Sequence, residues 1–276
     1  MRNNKRIAVM AYVFCMTLAL VLSIGSAILM VHQDLQDYKV SQQEYSNVEN
    51  EFVSFEGDTE VNNTVASDEY NNVEEVFTSG AEVIYDDYPK VSIDHKSLRG
   101  VNPDYVGWLY IPVIGISYPV VQGQDNDYYL THTFQKTEND SGAIFVDAYA
   151  TQSDFDVIFY GHSMKDGSMF QKLKQFDRKR ELCETDPYVY FYRDNMVYKF
   201  EIYSYYETTT DSATYKVIYN NVDYKDFVDY NLAMSDYNPN YSLNYTQKSI
   251  TLSTCYGTGQ DDRYVVNAIF VGSYNL

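Results

Sequence analysis

Hydrophobic and polar positions divide the chain into three stretches. Across residues 7–31 no charged residue interrupts a run rich in Ala, Val, Leu, Ile and Met. Wound into a helix at ~1.5 Å per residue, that run is about 37 Å long and crosses a ~30 Å hydrocarbon core with some tilt. Across residues 32–90 apolar positions are sparse and follow no period, which predicts some helix beside the apolar run and otherwise a flexible spacer. From residue 91 onward apolar residues gather into short, often alternating runs separated by Gly, Pro, Asn and Asp, the pattern of strands and turns.

Within this last stretch a short helix or turn is predicted over residues 95–106, leading to Asn102-Pro103-Asp104. A strand over 107–111 stops at Pro112. A second strand covers 116–121, where Pro119 lacks an amide donor and so implies an edge or a bulge. Tyr128-Tyr129-Leu130 follows a polar loop. Residues 143–146 and 157–160 are apolar runs of buried-strand type, and Met169, Phe170, Leu173 and Phe176 recur at helical spacing. Residues 188–192, a turn at Arg193-Asp194-Asn195 and residues 196–206 read as a hairpin. Residues 223–234 fit a helix with Asp223 as N-cap and Phe227, Tyr230 and Leu232 on or near one face. Strands over 249–254 and 264–271 close the chain. Seven or eight short strands with few helices predict a mainly β fold, a closed or nearly closed barrel with helical insertions.

Locating the charge sharpens the organisation. The 276 residues hold 39 acidic and 20 basic side chains, a net charge of −19. Arg2, Lys5 and Arg6 precede the apolar run, whereas residues 32–90 carry 15 Asp and Glu against Lys39 and Lys90. The positive-inside rule then puts the N-terminus in the cytoplasm and the rest outside. The expected order is a cytoplasmic tip (1–6), a transmembrane anchor (7–31), an acidic extracellular stalk (32–90) and a globular domain (91–276), in a single-pass cell-membrane protein. A cleaved signal peptide is the rival reading. It calls for an apolar region of roughly 7–15 residues followed by a small-x-small site, but here the run is longer and Ser23-Ile24-Gly25 lies inside it. Lipidation of Cys15 is disfavoured by Phe14, which stands where a lipoprotein signal needs a small residue. So acidic a chain is a poor partner for nucleic acid. Three cysteines exclude a disulfide scaffold and a four-cysteine zinc site, and four scattered histidines argue against a His-rich metal site. The 30 tyrosines favour strands.

Three positions carry candidate chemistry. His162 follows the apolar run 157–160 at Gly161, where the chain leaves the core. Cys255 ends the run Ile250-Thr251-Leu252-Ser253-Thr254. Arg263 opens the final strand after a polar loop, so residues 255 and 263 come to the same end of a sheet, while nothing local places His162 beside them. A thiolate is a nucleophile favoured by nearby cations. An imidazole exchanges protons near neutral pH, and a guanidinium stays charged and can hold an oxyanion. Together they fit acyl transfer through a thioester. Taken singly, each has a plainer reading: a strand-end cysteine is usually a small buried hydrophobe, such a histidine a hydrogen-bonded structural group, and such an arginine a solvated charge.

Several linked segments resemble the sortases, and class B in particular. Thr251-Leu252-Ser253-Thr254-Cys255 is similar to the family's TLxTC signature, with Arg263 eight residues on. Tyr160-Gly161-His162-Ser163-Met164-Lys165 resembles its YGHNMK-type segment. Asn102-Pro103-Asp104-Tyr105-Val106-Gly107-Trp108 and Tyr118-Pro119-Val120-Val121-Gln122-Gly123 resemble its first strands. The resemblance covers about residues 95–272. It implies an eight-stranded sortase barrel with an added helix before the cysteine strand, and a cysteine transpeptidase that needs neither metal nor cofactor. By matching position it implies His162 as general acid and base, Cys255 as nucleophile and Arg263 as oxyanion or substrate anchor. Asn126, Leu130, Tyr160 and Ser253 would line the groove for a sorting signal. The implied partners are secreted proteins with a C-terminal sorting signal and a peptidoglycan-precursor amine, with the membrane engaged through the N-terminal helix.

Ser163 stands where Asn or His is frequent in the family, and Tyr256-Gly257-Thr258-Gly259 is richer in glycine than usual. A carboxylate partner for His162 from that loop is therefore in doubt, with Asp261 and Asp262 as candidates. Cys183, His95 and His132 match no family position. The alternatives are a pilin-polymerising sortase using a Lys amine, a chymotrypsin-like cysteine protease, and a surface-tethered binding module with a decayed site.

Overall fold

The computed structural model describes residues 2–55, 88–151, 153–237, 239, 241–255 and 261–276. They form two compact units, residues 1–43 and 44–276.

The first unit is helical. Helix α1, Arg2–Phe52, contains no proline, and its segment from Phe14 is long and apolar enough to cross a membrane. Leu20, Leu22 and Leu29 expose more than half of their surface. The hydroxyls of Thr17 and Ser23 donate to the carbonyls of Phe14 and Leu20 at 2.9 and 2.8 Å. Apolar side chains without protein partners, and polar groups satisfied inside the helix, are what hydrocarbon demands of a spanning segment.

The second unit begins earlier than the sequence pattern implies. The final turns of α1 belong to it, with Tyr45 and Val48 buried. Strand β1 (Val53–Phe55) then pairs antiparallel with β2 (Val91–Ile93). Residues 44–55 and 88–90 of the expected stalk are thus part of the folded body: Tyr45 is hydrogen-bonded there, the Tyr88 hydroxyl donates to the Asn275 carbonyl, and the Pro89 carbonyl accepts from the Tyr192 hydroxyl. Residues 32–43 of the expected stalk continue helix α1 in the first unit, and residues 56–87 lie outside the described residues. Helix α2, His95–Val101, is capped by Asp94, whose carboxylate accepts from the Ser97 amide and hydroxyl at 2.9 and 2.7 Å.

Eight strands close the barrel: β3 (Tyr105–Ile111), β4 (Ile116–Val121), β5 (Ile144–Val146), β6 (Asp156–Tyr160), β7 (Tyr188–Arg193), β8 (Met196–Thr209), β9 (Ser249–Cys255) and β10 (Asp262–Asn275). Their order around the barrel is β10-β8-β7-β3-β4-β5-β6-β9. Closure removes free edges, and Trp108, Leu109, Val120, Leu252 and Val266 on its strands are all fully buried. Pro119 fits as expected. It pairs with Trp108 next to a bulge in β3, and β5 joins β4 only from Val120 onward, so no ladder bond misses the absent amide. In the β7–β8 hairpin Asp194 takes the left-handed conformation (φ 53°), as a tight hairpin turn requires.

Short helices α3 (Gln175–Arg178) and α4 (Glu181–Thr185) join β6 to β7; the second was not apparent from periodicity. Helix α5, Asn221–Met234, starts earlier than expected. Asn220, not Asp223, is the N-cap, and its side-chain oxygen accepts from the Val222 and Asp223 amides at 2.8 and 3.1 Å. Asp223 instead reaches back, its carboxylate accepting from Asn220 Nδ2 and the Tyr219 amide.

Candidate active site

Strand pairing assembles the site. Strand β9 is antiparallel to β10, and Cys255 lies directly opposite Arg263. Strand β6 is parallel to β9, with Tyr160 opposite Ser253, so both strands end at the same rim. The Gly161 amide extends the ladder to the Ser253 carbonyl at 3.2 Å, and His162 follows at once. Gly161 has no room for a side chain, since a Cβ there would lie 2.5 Å from Ile144 and 2.8 Å from the Phe170 ring. That close packing turns the chain outward and puts His162 beside the thiol.

Two contacts fix His162. Its Nε2 lies 2.7 Å from the Leu130 carbonyl oxygen, and its own carbonyl accepts from the Phe170 amide at 2.9 Å. A carbonyl can only accept, so Nε2 carries a proton and Nδ1 is the nitrogen left for proton exchange. Burial disfavours charge on this imidazole, but hydrogen bonding to Cys255 and to Leu130 outweighs it and raises its pKa. Conversely, the interaction with His162 lowers the thiol pKa of Cys255 against partial burial, with Arg263 and Lys174 assisting. Cys255 is a free, exposed thiol. Arg263 Nη1 donates to the carbonyl of Asp262 at 2.9 Å, which anchors one edge of the guanidinium.

A cleft of about 380 Å³ brings together all seven residues singled out from the sequence: His162, Cys255, Arg263, Asn126, Leu130, Tyr160 and Ser253. Its wall also includes groups the sequence did not point to. Tyr215, on a short 3-10 turn after β8, shares a 2.7 Å hydrogen bond with Ser253 Oγ. Behind the wall, Asp147 accepts from Asn126 Nδ2 at 3.0 Å and from the Tyr160 hydroxyl at 3.2 Å, bracing two groove residues at once. Asp147 could have been noticed, because it ends the apolar run 143–146 much as Cys255 ends its own strand. Tyr215 has no comparable signal, as it lies in a connection without periodicity.

The other candidates fall elsewhere. Asp261 turns toward Thr210, whose amide and hydroxyl approach its carbonyl and carboxylate at 3.0 and 3.4 Å. Asp140 favours charge on His162 only weakly, behind the hydrogen bonds to Cys255 and Leu130. Residues 256–260, with the glycine-rich Tyr256-Gly257-Thr258-Gly259, lie outside the described residues. Cys183 is buried in α4 with its thiol pushed up to about 12 by desolvation. His95 is buried against the Tyr105 hydroxyl at 2.9 Å and pulled down to about 4 by that burial. His132 stacks on Tyr128.

A closed eight-stranded barrel with a thiol, an imidazole and a guanidinium on one rim defines the class, and the sortase domain family matches residues 109–271. The chain therefore belongs to the sortase family. Within it, the similarity is to class B. Sortase B of Listeria monocytogenes is 37% identical over 164 residues, covering 58% of this chain and 66% of that protein. Sortase B of Staphylococcus aureus is 30% identical over 163 residues, with the same coverage of 58% and 66%. The matched segment thus spans slightly less than two thirds of either relative. The X-ray structure of Clostridium perfringens sortase B superposes with a TM-score of 0.61 at 33% identity, covering 65% of this chain and 100% of that one.

Proposed function

We propose that this chain is a membrane-anchored cysteine transpeptidase that cleaves a C-terminal sorting motif after Thr and joins the new acyl end to a peptidoglycan amine. The observation that carries this reading is the register of β6, β9 and β10, which gathers His162, Cys255 and Arg263 around one cleft.

The chemistry follows from the groups present. The Cys255 thiolate attacks the carbonyl carbon after Thr, and the electron pair moves onto the oxygen. Arg263, a permanent cation beside the thiol, stabilises that oxyanion in a partly desolvated cleft. Collapse breaks the C–N bond while the His162 imidazolium gives its Nδ1 proton to the departing amine, leaving a thioester on Cys255. The acceptor amine then attacks the thioester, His162 takes up its proton, and Cys255 leaves as thiolate. Asn126, Leu130, Tyr160 and Ser253 line the path of the sorting peptide.

Arg2, Lys5 and Arg6 before the apolar segment, and acidic residues after it, support a single-pass orientation with the N-terminus cytoplasmic and the barrel outside.

The test uses the full chain in detergent micelles, a panel of Thr-containing sorting peptides and a short acceptor amine, with ligated product measured by mass spectrometry. Cys255→Ala should form none. His162→Ala should fall ~10²-fold or more, and Arg263→Lys should fall although charge is kept, because the planar fork is lost. Wild-type protein that ligates no peptide of a broad panel, or a Cys255→Ala variant as active as wild type, overturns the reading.

A further inference from the structure

Beyond the three groups already placed, one more cation is built into the rim. The 3-10 segment Phe170–Lys174 packs against both β9 and β10. Lys174 closes it, and its Nζ donates to Ser163 Oγ at 2.8 Å. Ser163 in turn donates to Gln171 Oε1, so one hydroxyl ties two residues of the segment to the position directly after His162. The segment is also bound to His162 itself through the Phe170 amide, and an isolated bridge joins Ser163 to Met169. The ammonium is therefore held in place by the same loop that presents the imidazole. We propose that Lys174 is a positioning residue of this site, a second fixed cation that acts through Cys255 by favouring its thiolate and through Ser163 by holding the His162 loop in place.

The electrostatics agree with this geometry. The charged and titratable groups that act on the thiol are His162 after β6, Arg263 on β10 and Lys174, and the thiol in turn acts on Tyr215 after β8. Lys174 pulls in the same direction as His162 and Arg263. Partial burial lowers the pKa of Lys174, and Cys255 offsets this only in part, ahead of the opposing Arg178 of α3 and the favourable Glu207 of β8. Lysine and thiol thus stabilise each other's charged forms. The Ser163 hydroxyl acquires a role as well, since it both receives the ammonium and donates onward to Gln171.

This inference rests on the proposed chemistry for its purpose, but its test does not require turnover. Iodoacetamide alkylates a thiolate, forming an S–C bond as iodide leaves. Its rate at Cys255 is followed against pH in the full chain in detergent micelles, with peptide mapping to separate Cys15 and Cys183. Lys174→Met should raise the midpoint of the profile by several tenths of a pH unit and slow alkylation near neutral pH about 3-fold. Lys174→Arg should restore most of the rate, and Ser163→Ala should fall between wild type and Lys174→Met. An unchanged profile in Lys174→Met overturns the proposal. So does an equal rise in Lys174→Met and Lys174→Arg, since the fit of the lysine stem and not its charge would then be responsible. If the profile shifts as expected but no variant or wild type ligates peptide, the transpeptidase reading fails and the role of Lys174 stands.

Discussion

Asp156 opens β6, the strand that ends at the site, and its carboxylate accepts from Ser249 Oγ at 2.5 Å and from Thr251 Oγ1 at 2.8 Å. Thr251 also meets Asn267, and Asn267 donates to Ser204 at 2.8 Å, so buried polar contacts cross β6, β9, β10 and β8. Burial outweighs those two hydroxyls and pushes Asp156 up to about 6. A carboxyl that binds its proton more tightly in the folded state contributes fully below its unfolded value of about 3.9, and that contribution is lost as pH rises through about 6. Asp156→Asn removes the dependence. Its stability relative to wild type should therefore climb from about pH 4 to about pH 7, by on the order of 1–3 kcal/mol. Thermal unfolding at several pH values reads this directly, and a difference that stays flat across that window contradicts it.

At the scale of elements, the end of α1 is more than a tether. The Tyr45 hydroxyl donates to the Gly142 carbonyl at 2.6 Å and accepts from the Phe134 amide at 3.3 Å, while its ring meets Tyr118 edge-on at 5.2 Å. Glu44 accepts from Thr133 Oγ1 at 2.8 Å and the Gln135 amide at 2.9 Å. Both clamp the loop that carries Leu130, whose carbonyl orients His162. Tyr45→Phe leaves a buried carbonyl without its donor and should cost about 1–3 kcal/mol of stability. An unfolding midpoint equal to wild type would show that water or another group replaces the hydroxyl. The sequence hid this contact because Tyr45 and Val48 are two apolar positions in an acidic stretch, too few to set a period.

The strands, by contrast, were legible, since their aromatic and β-branched runs alternate and Pro119 marked its own irregularity. Cys255 and Arg263 were legible as neighbours because an antiparallel return places them together by local geometry. His162 was not. It reaches Cys255 through the parallel pairing of β6 with β9, a contact made across nearly a hundred residues that no local pattern encodes, and only the resemblance to sortases suggested it. The N-cap of α5 was misplaced because Asn220 and Asp223 both suit that position and only the backbone turn decides between them.

For the whole molecule, charge and tyrosine divide the labour. The acidic excess is concentrated between the apolar helix and the barrel, and so says little about the cleft, where the groups acting on Cys255 are mainly cationic. Tyrosines fill the barrel and its flank, and several of their hydroxyls find partners. Tyr206 donates to Asn231 Oδ1 at 2.7 Å and Asn231 donates to Tyr203 at 3.0 Å, joining α5 to β8. This combination of apolar body and polar tip suits a ring to a buried position that also offers a hydrogen-bond partner, in a protein with one Trp.

The central claim is that Cys255 carries the acyl group, and the most direct measurement is the mass of the Cys255 peptide after brief exposure of the full chain to sorting peptide without amine, quenched in acid. The account expects a mass increase equal to the acyl portion ending in Thr, confined to Cys255, removed by hydroxylamine and absent in Cys255→Ala. No increase with any peptide, in protein whose Cys255 still alkylates, would contradict it.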